Sequence, residues 1–162
     1  MIVASNTSPI INLASIHHLE LLSKLYKNIL IPKAVYHEIV IVGSGQPGSH
    51  EVKELDWLKN QAVQNKNLAE ALKIELDDGE AEAISLAIEQ NADLLLIDER
   101  LGRNVASRFD IKCIGVLGII IEAKSKGLIE RVKPLLDDLR AKAGFWMSDS
   151  LYSKILEIAK EI

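Results

Sequence analysis

The chain has 162 residues and a mass of 17.9 kDa, which suits one globular domain with one core. Hydrophobic residues make up 48% and charged residues 26%, as in ordinary folded domains, but aromatics are only 4%, so the core has to be built from Leu, Ile, Val and Ala. A formal net charge of -4 disfavours a general nucleic-acid coat protein, yet it is compatible with a nuclease, whose clustered carboxylates lower the total charge.

Met1-Ile2-Val3-Ala4-Ser5 has no basic stretch and meets Pro9 too soon for a signal peptide. Val3 to Ser5 reads as a short buried strand. Asn6-Thr7-Ser8-Pro9 then turns into a helix, because Asn, Thr or Ser caps well and Pro suits the first positions. Two helical pieces follow, Ile10 to Ala14 and Leu19 to Tyr26, with His17-His18 on the helical stretch and no third metal ligand nearby in sequence. Asn28 to Ile31 is a second strand stopped by Pro32. Lys33 to Val42 is helical, and Gly43 to Gly48 is the most flexible segment. Trp57 to Val63 fits a strand or a helix equally. Leu68 to Leu76 reads as a helix, and Asp77-Asp78-Gly79 breaks before the helix Glu80 to Glu89.

Asp93 to Ile97 is the clearest strand, and Arg100 to Phe109 the helix after it. Ile111 to Ile114 is a short strand whose Cys113 reads as a small buried apolar residue. As the lone cysteine, Cys113 excludes an intramolecular disulfide and a cysteine zinc cluster. Val116 to Lys126 is a helix containing the apolar run Leu117 to Ile121, which reads as core with a dimer contact as the alternative. Val132 to Ala143 and Ser148 to Ile162 are the last helices, separated by Gly144-Phe145-Trp146, where Trp146 reads as an anchor for the final helix. Short apolar strands alternating with helices predict right-handed crossovers and a three-layer α/β/α domain around a central parallel sheet. One domain over 1–162 is expected, with the helices of 130–162 packed as an extension. No apolar stretch reaches membrane-spanning length, so a cytoplasmic protein without a membrane partner is expected.

Four acidic or amide positions stand where apolar runs end or apolar helix faces begin. They are Asn6 after the first strand, Glu38, Glu80, and Asp98-Glu99 after Leu94-Leu95-Leu96-Ile97. Carboxylates are expensive to bury unless a cation or a hydrogen bond compensates them. With roughly 100° of rotation per helical residue, Glu80 shares an azimuth with Ala83, Ile84 and Ala87, while Glu82, Ser85 and Glu89 fall on the opposite, solvated face. Glu38 lies among Val35, Ile39 and Val42, again an acid on an apolar stripe. The bland alternative for each acid is a stripe edge that snorkels to water. Asn6 and Asp98-Glu99 follow strands, where ligands of open α/β sheets gather. The bland alternative there is helix capping. Several such groups converging at one sheet edge would make a hard-metal site.

The segments Ser5-Asn6-Thr7-Ser8-Pro9-Ile10, Ile31 to Glu38, Asp78-Gly79-Glu80-Ala81-Glu82-Ala83-Ile84 and Leu95-Leu96-Ile97-Asp98-Glu99-Arg100-Leu101-Gly102-Arg103 together resemble the PIN-domain family. The likeness is to its stand-alone prokaryotic branch of predicted nucleic-acid-binding proteins, related to VapC-type toxins. Gly115 to Gly118, Ala123 to Ile129 and Gly144 to Ser148 also resemble that branch, so the likeness spans nearly the whole chain. The resemblance implies a parallel sheet with helices on both sides, an acidic pocket for Mg²⁺ or Mn²⁺, and hydrolysis of RNA. By position, Asn6, Glu38 and Glu80 match the family's first three acids, and Asp98 or Glu99 the last. Asn6 departs from the usual Asp. It is neutral and still offers a carbonyl oxygen, and the lost charge weakens divalent binding.

If the chain is a nuclease, Glu80 or Glu99 orients or deprotonates the attacking water. Thr7 and Ser8 offer donors to the phosphate at the helix start. Arg100 and Arg103, one helical turn apart, grip the flanking backbone or else form a solvated helix face. Other implied partners are a cognate antitoxin protein, if the chain is the toxin of a toxin–antitoxin pair, and a second copy of the chain. A degenerate PIN fold that binds RNA or a protein without cutting is the alternative. Asp93 to Glu99 also resembles the Walker B strand of an ATPase, but no glycine-rich phosphate loop ending in Lys-Ser or Lys-Thr accompanies it. Asn6-Thr7-Ser8 is a formal glycosylation sequon without a secretory signal.

Overall fold

In the computed structural model, which describes residues 1–162, every strand is short and all but the edge strand Leu58–Asn60 are largely apolar. Val3–Ser5 (β1), Ile29–Ile31 (β2), Leu58–Asn60 (β3), Leu94–Leu96 (β4) and Cys113–Ile114 (β5) form one sheet in the order β3-β2-β1-β4-β5. All four pairings are parallel, with Ala4 opposite Leu30 and Leu95, and Leu95 opposite Cys113. Parallel neighbours need crossovers, and helices supply them: Thr7–Ser15 (α1) and Glu20–Tyr26 (α2) between β1 and β2, and Arg100–Ser107 (α7) between β4 and β5. The connection from β2 to β3 carries Lys33–Tyr36 (α3) and Ser49–Glu54 (α4), and that from β3 to β4 carries Lys66–Leu72 (α5) and Asp78–Glu89 (α6). Val116–Ser125 (α8), Lys133–Ala141 (α9) and Asp149–Ile158 (α10) complete the chain.

The pleat explains the two cores. Successive side chains of a strand point to opposite faces. Val3, Ile29, Ile31, Leu94 and Leu96 enter one core, with residues of α1, α2, α3, α8, α9 and α10. Ala4, Leu95 and Ile97 enter the other, against Leu72, Ala83, Ile84, Val105 and Ala106 of α5, α6 and α7. The result is three layers, helices on both faces of a parallel sheet. Leu135, Leu136 and Leu139 of α9 and Ile155 and Leu156 of α10 share the first core with β1 and β2. No helix is long and apolar enough to cross a membrane.

Several local expectations change. The helix from Lys33 does not stay α-helical: after Tyr36 it widens into a π-helical turn over His37–Val42, closed by the Gly43 N–H donating to the Glu38 carbonyl at 2.9 Å. The wider turn swings Val42 off the apolar stripe, and it is 73% exposed while Val35 and Ile39 are buried. Asp77-Asp78-Gly79 does not break the chain before α6. Asp77 caps it, and Asp78 and Gly79 form its first turn. Ser85 was expected on a solvated face and is fully buried, because α6 is packed by α3, α5 and α7 as well as by β1 and β4. Glu82 is half-buried and accepts from the Ala34 N–H at 3.1 Å. His17 lies in the turn between α1 and α2 with φ 61°, not on a helix. Trp57 to Val63 resolves as strand β3 with an irregular tail. Trp146 is not an anchor. In the irregular segment between α9 and α10, Phe145 packs against the core and Met147 is buried, whereas Trp146 between them is 83% exposed.

Candidate active site

The chain enters the sheet at its centre, moves outward to β2 and β3, then returns across β1 to lay down β4 and β5. The order therefore reverses between β1 and β4. In open parallel sheets a crevice opens at that point, outside the carboxyl ends of the strands. Ser5 pairs with Leu96, and one step further the Asn6 N–H donates to the Leu96 carbonyl at 2.9 Å. This register places Asn6 beside Ile97-Asp98-Glu99, which follow β4.

Asn6 and Glu99 occupy the N-cap positions of α1 and α7, but neither side chain makes the capping bond. Simple capping therefore does not account for either residue. Instead Asn6 Nδ2 donates to Glu99 Oε2 at 3.2 Å, and the Ser8 hydroxyl donates to Glu99 Oε1 at 2.8 Å. The Thr7 hydroxyl donates to Glu38 Oε2. Asp98 Oδ1 accepts from the Val116 N–H at 2.7 Å, and Oδ2 from Asn12 Nδ2 at 3.5 Å. Glu80 is 7% exposed and forms a reciprocal cap with Asp77: its Oε1 accepts from the Asp77 N–H at 3.1 Å while its own N–H donates to Asp77 Oδ1 at 2.8 Å. Its Oε2 accepts no hydrogen bond and faces the α-carbon of Gly102, where a β-carbon would lie 3.4 Å away.

Two glycines make room for the acids. A β-carbon on Gly79 would lie 2.5 Å and 2.7 Å from the Glu38 carboxylate oxygens, and one on Gly115 would lie 2.6 Å from Asp98 Oδ1. Neither glycine has a positive φ, so close approach of the carboxylate is the requirement at both.

Burial pushes the Glu38 carboxyl above its ordinary value. The Thr7 hydroxyl and the Gly79 N–H oppose this, and Asp77 and Asp78 add to it by repulsion. Burial does the same to Glu80, opposed by the Asp77 N–H and reinforced by the negative charges of Asp77 and Glu99. Asp98 is also raised by burial, opposed by the Val116 N–H and reinforced by Glu99. Three acids on three separate segments are thus desolvated, and each also feels a neighbouring carboxylate. Such an arrangement favours either protonation or a cation.

Asn6 shows which remedy the donor set suits. It is 3% exposed, and its Oδ1 is buried with no hydrogen-bond donor. An orphaned buried carbonyl among carboxylates is an open oxygen-ligand position, and an all-oxygen donor set fits a hard divalent ion. No three Asp, Glu, His or Cys side chains are close enough together to ligate one ion directly. That spacing suits Mg²⁺-like binding, where one or two carboxylates act and water fills the other positions.

The crevice thus brings together Asn6, Asp98 and Glu99, with Glu80 behind Glu99 and Glu38 reached through Thr7. Thr7 and Ser8 stand at the start of α1 as expected, but their hydroxyls are committed to Glu38 and Glu99. Arg100 and Arg103 are exposed on α7, and neither lies within 4.0 Å of a carboxylate. Four supporting residues went unread in the sequence: Asn12, Asp77, Gly79 and Val116. For Asp77 the signal was present, since an acid three residues before Glu80 is a capping box. For the others only the folded chain shows the contact.

The family model described as a PIN domain matches residues 2–161. Comparison with curated proteins gives no match.

Proposed function

The chain belongs to the PIN-domain family, and on that premise we propose that it is a divalent-metal-dependent ribonuclease, hydrolysing RNA phosphodiester bonds in the crevice between the ends of β1 and β4. PIN domains are generally nucleases. The observation that carries the proposal is Asn6 Oδ1, buried and without a donor beside desolvated carboxylates. Most buried polar atoms of purely structural clusters are satisfied, and this one lies at the strand ends beside acids.

Of Asn6, Glu38, Glu80, Asp98 and Glu99, one or two carboxylates would hold Mg²⁺ or Mn²⁺ directly and the others would act through its water shell. When bound, the ion supplies charge neutralisation at the phosphate under attack. The chain's own groups do the rest. Glu80 takes the proton of the attacking water, because its Oε2 has no hydrogen-bond partner and burial raises its proton affinity. Asn6 and Ser8 hold Glu99 by its two carboxylate oxygens, and Thr7 holds Glu38, so each carboxylate keeps one orientation. Arg100 and Arg103 hold the strand by its flanking phosphates.

Cleavage of single-stranded RNA in Mn²⁺ and in EDTA, with wild type and Asp98→Asn, tests the proposal. Cleavage that needs Mn²⁺ and falls by about 100-fold or more in the variant is expected. A second assignment is favoured by the amide at position 6: a PIN fold that binds RNA without cutting. Mn²⁺ and RNA binding by wild type, with no cleavage, would replace the first assignment with this one.

A further inference from the structure

A second opening adjoins the acidic crevice. It is a cavity of about 350 Å³, bordered by Asp98, Arg103, Gly115, Gly118, Phe145 and Trp146. That volume lies in the range of roughly 300–1,000 Å³ typical of small-ligand pockets. Its inner edge is Asp98, one of the active-site acids. Whatever fills the cavity is therefore contiguous with a strand lying in the crevice.

We infer that this cavity is a nucleobase subsite in which Trp146 stacks on an unpaired base of the bound strand, with Arg103 on the adjoining phosphate. The inference rests on the nuclease-site assignment and adds to it the residue that seats a base of the bound strand, Trp146.

The Trp146 ring is 83% exposed, yet its backbone is fixed on both sides. Upstream the Phe145 N–H donates to the Leu139 carbonyl at 2.9 Å, and downstream Arg140 Nη2 donates to the Met147 carbonyl at 3.0 Å. Met147 is buried and Phe145 packs against the main core, so the segment is anchored while its indole faces out. Exposed aromatic rings on a rigid backbone are stacking platforms for bases, and stacking tolerates any base because each has a π-face. Ile114, Leu117 and Leu151 give the cavity an apolar wall, and the glycines beside them pack closely. A β-carbon on Gly118 would lie 2.6 Å from Ile114 Cγ1, and Gly115 likewise has no room for one. Arg103 has no carboxylate within 4.0 Å and is free to pair with a phosphate. A flat exposed ring, an apolar wall and a free cation match an unpaired nucleotide, whose base is apolar on its faces and whose phosphate is charged. An apolar peptide would leave Arg103 unpartnered, so a polyanion is the better fit.

The test is fluorescence anisotropy with a labelled single-stranded oligoribonucleotide, 2′-O-methylated so that it is not cut, in Mn²⁺. Wild type is compared with Trp146→Ala, Trp146→Phe and Arg103→Ala, and the strand with an abasic version and a matched duplex. Trp146→Ala is expected to weaken binding of the intact strand by about tenfold to a hundredfold. Trp146→Phe keeps most of the affinity, and neither variant changes binding of the abasic strand or the duplex. Arg103→Ala lowers the slope of log affinity against log salt by about one. Equal affinity of wild type and Trp146→Ala, the same loss on the abasic strand, or no strand binding by wild type would overturn the subsite. The two assignments fail separately. RNA cleavage unaffected by Trp146→Ala, with unchanged affinity, removes the subsite and leaves the nuclease. Trp146-dependent binding without cleavage of unmodified RNA leaves the subsite and removes the nuclease.

Discussion

Asn6 Nδ2 donates to Glu99 Oε2 at 3.2 Å, and the other end of the same amide, Oδ1, is buried without a donor. The side chain thus does two things that Asp cannot do together: it neutralises part of the Glu99 charge and presents an oxygen inward. Asn6→Asp removes the donor and sets carboxylate against carboxylate. The metal-free variant should lose about 1–3 kcal/mol of stability at neutral pH. Mn²⁺ should restore it and bind more tightly than to wild type, since ligand charge tunes divalent affinity. Thermal unfolding with and without Mn²⁺ measures both. Equal midpoints in the two proteins, and equal Mn²⁺ shifts, would mean that Asn6 does not face the ion.

Glu80 offers a sharper separation of stability from activity. Glu80→Gln keeps the shape and an oxygen for the Asp77 N–H but removes the charge. Cleavage should fall by about 10²–10⁴, the range for loss of a general base. The raised proton affinity of Glu80 fixes the sign of the stability effect. A carboxyl whose folded value is raised favours the fold below its unfolded value, and that contribution is lost as pH rises through the folded value. Metal-free Glu80→Gln should therefore be at least as stable as wild type at neutral pH, with its relative advantage shrinking toward acid. Chemical denaturation across pH checks this, and a variant markedly less stable than wild type at neutral pH would contradict it.

Gly79 packs its α-carbon against the Glu38 carboxylate. Gly79→Ala improves helix propensity by about 1 kcal/mol, while its methyl has to push the Glu38 carboxylate aside. Fold stability should stay within about 1 kcal/mol of wild type. Cleavage should drop by about 100-fold, the cost of displacing a site group by about 1 Å. A circular-dichroism melt paired with the RNA assay reads both numbers. Wild-type cleavage by this variant would place Glu38 outside the working site.

Glu161 ties the end of the chain to α9. Its side chain is 6% exposed and accepts from Lys124 Nζ at 2.9 Å, from the Val132 N–H at 2.6 Å and from the Lys133 N–H at 3.0 Å. Burial alone would push its carboxyl up, but these donors hold it at about 2. A depressed carboxyl stabilises the fold above its unfolded value and loses that effect as pH falls through the folded one. Glu161→Ala should cost about 3 kcal/mol at neutral pH, because it leaves two helix-start N–H groups without a partner and the partly buried Lys124 ammonium with only the Ala159 carbonyl and no counter-charge. The gap to wild type should begin to close below about pH 4.5 and vanish near pH 2. Thermal midpoints of the two proteins along that range test this; a gap independent of pH would assign the loss to packing alone.

Read alone, the sequence specified the helix and strand alternation, the aliphatic cores and the inward azimuth of Glu80, because these depend on local period and composition. Asn6 and Asp98-Glu99 were legible as strand-end groups for the same reason. Other features were settled only in three dimensions. The reversal of strand order between β1 and β4 is a property of pairing, and it alone puts Asn6 against Glu99 across 93 positions of sequence. Periodicity marks one apolar face of a helix, so it could not show that α6 is covered on several sides and buries Ser85. It assumes an α-helical turn, so it missed the π-helical turn that exposes Val42. Gly79 and Gly115 look like ordinary small residues until the carboxylates beside them are placed, and Trp146 looks like core until its neighbours Phe145 and Met147 take the inward positions. Local pattern fixes what a residue tends to be, whereas partners distant in sequence fix what it touches, and the site is made of such contacts.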